Sequence, residues 1–283
     1  MKSGVFCGFF LSAVAVNGFT AEPVIFTYKV GDFEVYTLVE NRGPGRPSIL
    51  LGVSDAQLER YIPGGAYQSE TNTFLIRGGG RIVLVDTGFG GALFDHLKTL
   101  GVDPAQVDAI LITHMHGDHI GGLQRDGKAL FPRAELYVAQ QERDYWVKDN
   151  PNPAAAAALA PYESRLHTFS PGNLGAQLQE ILPGITPIAA FGHTPGHTIY
   201  LVSSAGGKLL IWGDLMHAQA VQFPLPEISV SYDTNPAAAA AIRKQVLEYT
   251  AAQGIPIAGI HLVYPAIGAV SPAGNGYQFT PAR

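Results

Sequence analysis

From residue 24 onward the chain runs through short stretches in which apolar and polar positions alternate: "VIFTYKV" (24–30), "FEVYTLVE" (33–40), "NTFLIRGG" (72–79) and "RIVLVDTG" (81–88). Alternation with period two turns one face of each stretch toward a core, so all four read as strands, and the glycines at 78–80 supply a hairpin turn between the last two. After Gly91 the spacing changes. "ALFDHLKTLG" (92–101) places apolar residues at helical intervals and stops at Gly101; Asp103 and Pro104 then serve as N-cap and first-turn proline of another short helix. "DAILITH" (108–114) is a nearly unbroken apolar run, which marks a buried strand.

The second half repeats this scheme. "AELYVA" (134–139) reads as a strand, residues 140–163 as a helical stretch, and "ITPIAAFGH" (185–193) as a strand ending in a histidine. "TIYLVSS" (198–204) and "KLLIWGD" (208–214) form a hairpin. "AAAAAIRKQVLEYTAAQG" (237–254) is a helix capped by Asn235-Pro236 and closed by Gly254, and "IPIAGIH" (255–261) is a final strand. The alanine runs at 154–158 and 237–241 favour helix. Three strands therefore end on a histidine, His114, His193 and His261, and a fourth ends on Gly213-Asp214. Strand ends along one edge of a sheet are neighbours in space, so four such endings imply one convergent site.

Composition narrows the classes. Hydrophobic residues make up 47% and charged residues 14%, as in an ordinary globular protein, and a formal net charge of -5 argues against nucleic acid as a partner. The first 21 residues differ from the rest: Lys2 is followed by an apolar run from Val5 to Val16, too short to span a bilayer comfortably, with Ala13-Val14-Ala15 or the "FTA" before Glu22 as cleavage points. The expectation is a signal peptide over residues 1–21 and a catalytic domain over 22–283, exported to the periplasm or secreted. Cleavage would remove the single cysteine, Cys7, and leave no membrane anchor.

The densest chemistry lies in "THMHGDH" (113–119), where three of the nine histidines and an aspartate fall within six positions. Imidazole and carboxylate are the natural zinc donors where cysteine is lacking. His114 and His116 alternate along an extended segment and can face one ion together; Asp118 and His119 follow Gly117, whose freedom permits a turn that aims them at a second. No "GxSxG" element and no phosphate-cradling glycine loop is present.

"THMHGDH", "GHTPGH" (192–197), "WGD" (212–214) and "IHLVYPAIG" (260–268), with "NTFLI" and "VLVDTG" upstream, resemble the metallo-β-lactamase superfamily. The resemblance implies an α/β (α+β) fold, an αββα sandwich of two mixed sheets packed between helices. It assigns one metal ion to His114, His116 and His193 and a second to Asp118, His119 and His261, with Asp214 bridging. Asp118 and Asp214 would be the catalytic carboxylates. His197 is expected to support the site by hydrogen bonding and Asp86 to orient a histidine, while His96 and His167 are expected to be surface or packing residues. The cofactors implied are two divalent ions, most naturally Zn2+, with Mn2+, Co2+ or Fe2+ also compatible with carboxylate donors.

Water on such ions loses a proton near neutral pH and becomes a nucleophile. Asp214 stands where true β-lactamases of the superfamily carry cysteine or serine, which points to lactones, activated esters, thioesters or phosphotriesters. Compact acyl-homoserine lactonases have a tyrosine three residues after the bridging aspartate, whereas this chain has His217, readable as a structural partner of its loop or as a substrate-side group. "WGDLMHAQAVQFPLPEISVSYDTN" and "SPAGNGYQF" resemble the methyl parathion hydrolase branch, which also holds lactone and aryl-ester hydrolases. The expected activity is hydrolysis of a small hydrophobic lactone or activated ester. Organophosphate cleavage is the alternative, followed by β-lactamase or glyoxalase-type thioesterase activity, and the resemblance implies a homodimer. Phe89, Trp146, Phe223, Leu225 and Tyr264 flank the motifs and are the expected pocket lining.

Overall fold

Strand residues along this chain pair into two mixed sheets in a computed structural model that describes residues 24–283; the expected signal peptide lies outside them. The first sheet has seven strands in the order Ile25–Val30, Phe33–Pro44, Gln68–Gly78, Arg81–Val85, Ala109–Leu111, Glu135–Ala139 and Leu166–Phe169. Its first four form an antiparallel meander and the last three add in parallel. The second sheet has six, in the order Ile185–Ala189, Thr198–Ser204, Gly207–Ile211, Ile257–Ala258, Ile267–Ala273 and Gly276–Pro281. Its one parallel pair, Gly207–Ile211 with Ile257–Ala258, needs a crossover, and the long helix Pro236–Gln253 supplies it.

Side-chain alternation assigns the layers. Phe74 and Ile76, Val83 and Val85, and Ala109 and Leu111 point inward, where they meet Tyr200, Val202, Leu209 and Ile211 of the second sheet. The intervening Leu75, Leu84 and Ile110 point outward against Leu93 and Leu97 of the helix Leu93–Thr99 and Ala155 and Ala158 of the helix Pro153–Leu159. Val246 and Leu247 of Pro236–Gln253 cover the other side of the second sheet. The layers are helix, sheet, sheet, helix, as expected.

Three expectations need correction. Residues 140–163 are not one helix: a helix Gln140–Asp144 runs into a π-helical turn Tyr145–Asp149 and restarts as Pro153–Leu159. Pro151 and Pro153 interrupt the backbone ladder, and Asn152 caps the restart by accepting from the amides of Ala154 and Ala155. The strands toward His193 and His261 stop early, at Ala189 and Ala258, so both histidines ride on loops beyond the strand ends. The chain also closes with an unpredicted hairpin, Ile267–Ala273 with Gly276–Pro281, turning at Gly274 with φ 57°.

A small patch pairs Leu50–Leu51 with Ser229–Val230 over a satellite core of Ile62, Ala218, Val221 and Ile228. Among the described residues no helix is long and apolar enough to cross a membrane.

Candidate metal centre

Loops leaving one end of both sheets, and the short helix Gly117–Ile120 that carries Asp118 and His119, bring seven donor side chains together. Three ring nitrogens form a triangle: His114 Nε2 to His116 Nδ1 is 2.9 Å, His116 Nδ1 to His193 Nε2 is 3.0 Å, and His193 Nε2 to His114 Nε2 is 3.2 Å. Asp214 Oδ2 completes a tetrahedron, 3.5 Å from His114 Nε2 and 3.3 Å from His193 Nε2. Donors about 2.1 Å from a tetrahedral zinc lie roughly 3.4 Å apart, so these spacings suit an ion. A second group adjoins the first: His119 Nε2 is 3.6 Å from Asp118 Oδ1 and 3.3 Å from Asp214 Oδ1, and His261 Nε2 is 3.5 Å from Asp118 Oδ2 and 3.1 Å from Asp214 Oδ2. Asp214 thus belongs to both groups. His119 Nε2 and Asp214 Oδ1 are buried without a hydrogen-bond partner, which is costly unless something electrophilic sits between them. The donor set fits two divalent ions.

Most of the donors are aimed by a support. Asp86 accepts from the Thr113 amide at 2.8 Å and the Thr113 hydroxyl at 2.7 Å, and its Oδ2 lies 2.7 Å from His119 Nδ1. His197 donates from Nδ1 to the Ala190 carbonyl at 3.0 Å, while its Nε2 accepts the Asp214 amide at 3.0 Å; the support role expected of it has a definite target, the backbone of the shared aspartate. Gly213, at φ 55°, has no room for a Cβ because His197 Nε2 would lie 2.5 Å from it. Other supports escaped the sequence reading. Asp233 holds His193 Nδ1 at 2.8 Å and caps the Val230 amide with its other oxygen. The Glu70 carbonyl takes His261 Nδ1 at 2.8 Å, and the Asn72 side chain binds the carbonyls of Ile260 and Leu262.

Burial and charge oppose one another throughout the cluster. Burial pushes the Asp214 carboxyl up, but the imidazoles of His119, His261, His114 and His217 outweigh it and hold the group well below the usual carboxylate range. Burial lowers His193 and His119, yet the surrounding carboxylates win: His193 rises to about 9 and His119 moves well up. For His116, His197 and His217 burial dominates, bringing them to about 4, about 3 and about 4.

His217 stands at the edge of the cluster. Its Nε2 is 3.1 Å from Asp214 Oδ2, its ring stacks on His261 with centroids 4.8 Å apart, and it lines the cleft above the donors. That cleft holds about 510 Å3 and is walled by Ile49, Tyr67, Phe89, Tyr232 and Arg46. Of the expected lining, only Phe89 faces it. Phe223 is buried against Trp212 and Phe279, Leu225 packs into the satellite core, and Tyr264 lies edge-on to Phe26. Trp146 sits behind the donors, its ring 5.5 Å from that of His116. His96 is a buried packing residue bonded to the Val39 carbonyl, and His167 a surface residue paired with Glu135.

Residues 66–251 match the metallo-beta-lactamase superfamily. The chain belongs to that superfamily. Two solved members overlie nearly all of it. Hydrolase AbOPH of the beta lactamase superfamily is 31% identical with a TM-score of 0.80, covering 92% of this chain and 97% of that one. AidC, a dizinc quorum-quenching lactonase solved with its product N-hexanoyl-L-homoserine, is 25% identical with a TM-score of 0.82, covering 93% and 98%. Among curated relatives, an atrochrysone carboxyl ACP thioesterase of Aspergillus chevalieri is 29% identical over 187 residues, 65% of this chain and 59% of that protein. The chain thus spans less than two thirds of that relative's length. The proteins with this likeness include a hydrolase, a lactonase and a thioesterase.

Proposed function

We propose that this protein is an exported dinuclear metallohydrolase that opens lactones or cleaves activated esters, with zinc as the ion its donors suit best. The observation that carries the reading is the pair of adjoining donor groups sharing Asp214 at the floor of an open cleft. His114, His116, His193 and Asp214 would hold one ion, and Asp118, His119, His261 and Asp214 the other. Divalent ions held by these residues would supply an acidic water and Lewis acidity toward a carbonyl. The chain's own residues set the rest. Asp214 and Asp118 place two carboxylates beside the reacting group, Asp233 and Asp86 fix the imidazole tautomers, and Ile49, Tyr67, Phe89 and Tyr232 offer apolar surface to an acyl chain.

The lactone preference draws on AidC, whose bound product is an opened homoserine lactone. Thioester cleavage is a second reading, favoured by the fungal thioesterase. The test is metal content together with turnover. Chain purified from Glu22 should carry about two zinc ions, as paired donor sets require. It should hydrolyse an N-acyl-homoserine lactone or an aryl ester, lose that activity to a chelator and regain it with Zn2+. Methyl parathion as the preferred substrate would move the reading to phosphotriesters, turnover of nitrocefin alone would make it a β-lactamase, and a chain without metal would sink the mechanism.

A further inference from the structure

Glu142 lies in the first turn of the helix Gln140–Asp144 and is 1% exposed, yet among the described residues no salt bridge reaches its carboxylate. Four donors satisfy it instead. Oε1 accepts the Met115 amide at 2.8 Å and the Trp146 indole N–H at 2.7 Å; Oε2 accepts the Thr194 hydroxyl at 2.6 Å and the Gly196 amide at 2.9 Å. Met115 lies between His114 and His116. Thr194 follows His193. One buried carboxylate therefore ties the loop carrying two donors of the first group to the loop carrying the third. The approach is close enough that a Cβ on Gly196 would lie 2.2 Å from the Glu142 backbone nitrogen, so the second glycine of "GHTPGH" is there to admit Glu142.

The second donor group hangs elsewhere: His119 on Asp86, and His261 on the Glu70 carbonyl with Asn72 bracing its loop. A carboxylate is required at position 142 because all four partners donate. In a glutamine one oxygen would serve two of them, while its NH2 would face a backbone N–H that cannot accept, leaving a buried amide unpaired.

We propose that Glu142 is a positioning residue that sets the spacing of His114, His116 and His193, and so governs affinity for one of the two metal ions while leaving the other nearly unchanged. This rests on the reading above that both donor groups hold ions. Support residues of this kind typically change metal affinity by about 10–100-fold, whereas loss of general stability weakens both positions together.

The test titrates Zn2+ into chelator-stripped full chain against a competing chromophoric chelator, and repeats the titration with Co2+ to read the visible spectrum of each position. Wild type should show two binding steps. E142Q should weaken one step by about 10–100-fold and alter the Co2+ spectrum of that position alone. T194V, which cuts one of the two bonds on the 194–196 side and keeps the shape, should weaken the same step by a smaller factor and carries the test if E142Q does not fold. Equal weakening of both steps, or unchanged affinities with only a lower melting temperature, would overturn the proposal. A wild type that takes up no metal would instead refute the functional reading beneath it.

Discussion

At the scale of single residues, Asp214 has the strongest claim, since its two oxygens face His114 and His193 on one side and His119 and His261 on the other. Asp214→Asn should reduce bound zinc from two ions per chain to one or fewer and lower turnover by at least about 100-fold, as removal of a shared donor implies; elemental analysis beside an ester assay checks both. Asp233→Ala frees the His193 ring and should weaken zinc binding by about 10–100-fold at unchanged helix content, measured by chelator competition. The two residues were not equally legible. Asp214 and the six other donors lie beside apolar runs, which marked them as one candidate site, and the resemblance to the family divided them between two ions. Asp233 meets His193 across 40 positions, and Glu142 meets Met115 across 27, with nothing local to mark either. The same limit explains the errors at Phe223, Leu225 and Tyr264: nearness to a motif in sequence says nothing about which way a side chain faces.

At the scale of elements, the helix Pro236–Gln253 does more than cross between parallel strands. Arg243, buried within it, donates to the carbonyls of Leu215, Pro226 and Ile228 and so pins the loop that follows Asp214. Burial brings its guanidinium down to about 10. Arg243→Met would leave the buried carbonyls of Leu215 and Pro226 unpaired, Ile228 keeping its bond from the Gln222 side chain, and should cost about 2–4 kcal/mol in urea unfolding, with weaker substrate binding as the loop loosens. Strand and helix identities were legible because alternation with period two or four survives in one sequence. The break at residues 150–152 was signalled by two prolines but masked by the alanine run, and the last hairpin offered only the turn residues "AGNG". That missed hairpin is what covers Phe223, so one error in the elements produced one in the pocket.

For the whole molecule, the donor loops join both sheets at one end, and bound metal would tie the two halves together. Zinc held at about 100 times its dissociation constant adds about 2.7 kcal/mol per site. At roughly 2–4 °C per kcal/mol for a chain of this size, chelation should lower the melting temperature by about 10–20 °C. The pH dependence of the chelated protein has a definite sign. His193 is raised from its ordinary 6.5 to about 9, so its pairing with Asp214 and Asp233 contributes stability that is complete below 6.5 and is lost as pH climbs through 9. Melting temperature should fall over that window without metal and hold or rise with zinc, because metal needs the ring deprotonated. Calorimetric scans at pH 6.5 and 9.5 check this.

Residues 41–49 wall the cleft with Asn41, Pro44, Arg46 and Ile49, supply no donor atom, and are clipped at their far end by Leu50–Leu51 against Ser229–Val230. One wall of the cleft and the donor atoms are consequently encoded in different stretches of the gene. A lineage under selection for a new ester can rewrite that one wall by point changes or short insertions and inherit its reactive centre untouched, so descendants of such a chain are expected to diverge in diet long before they diverge in chemistry.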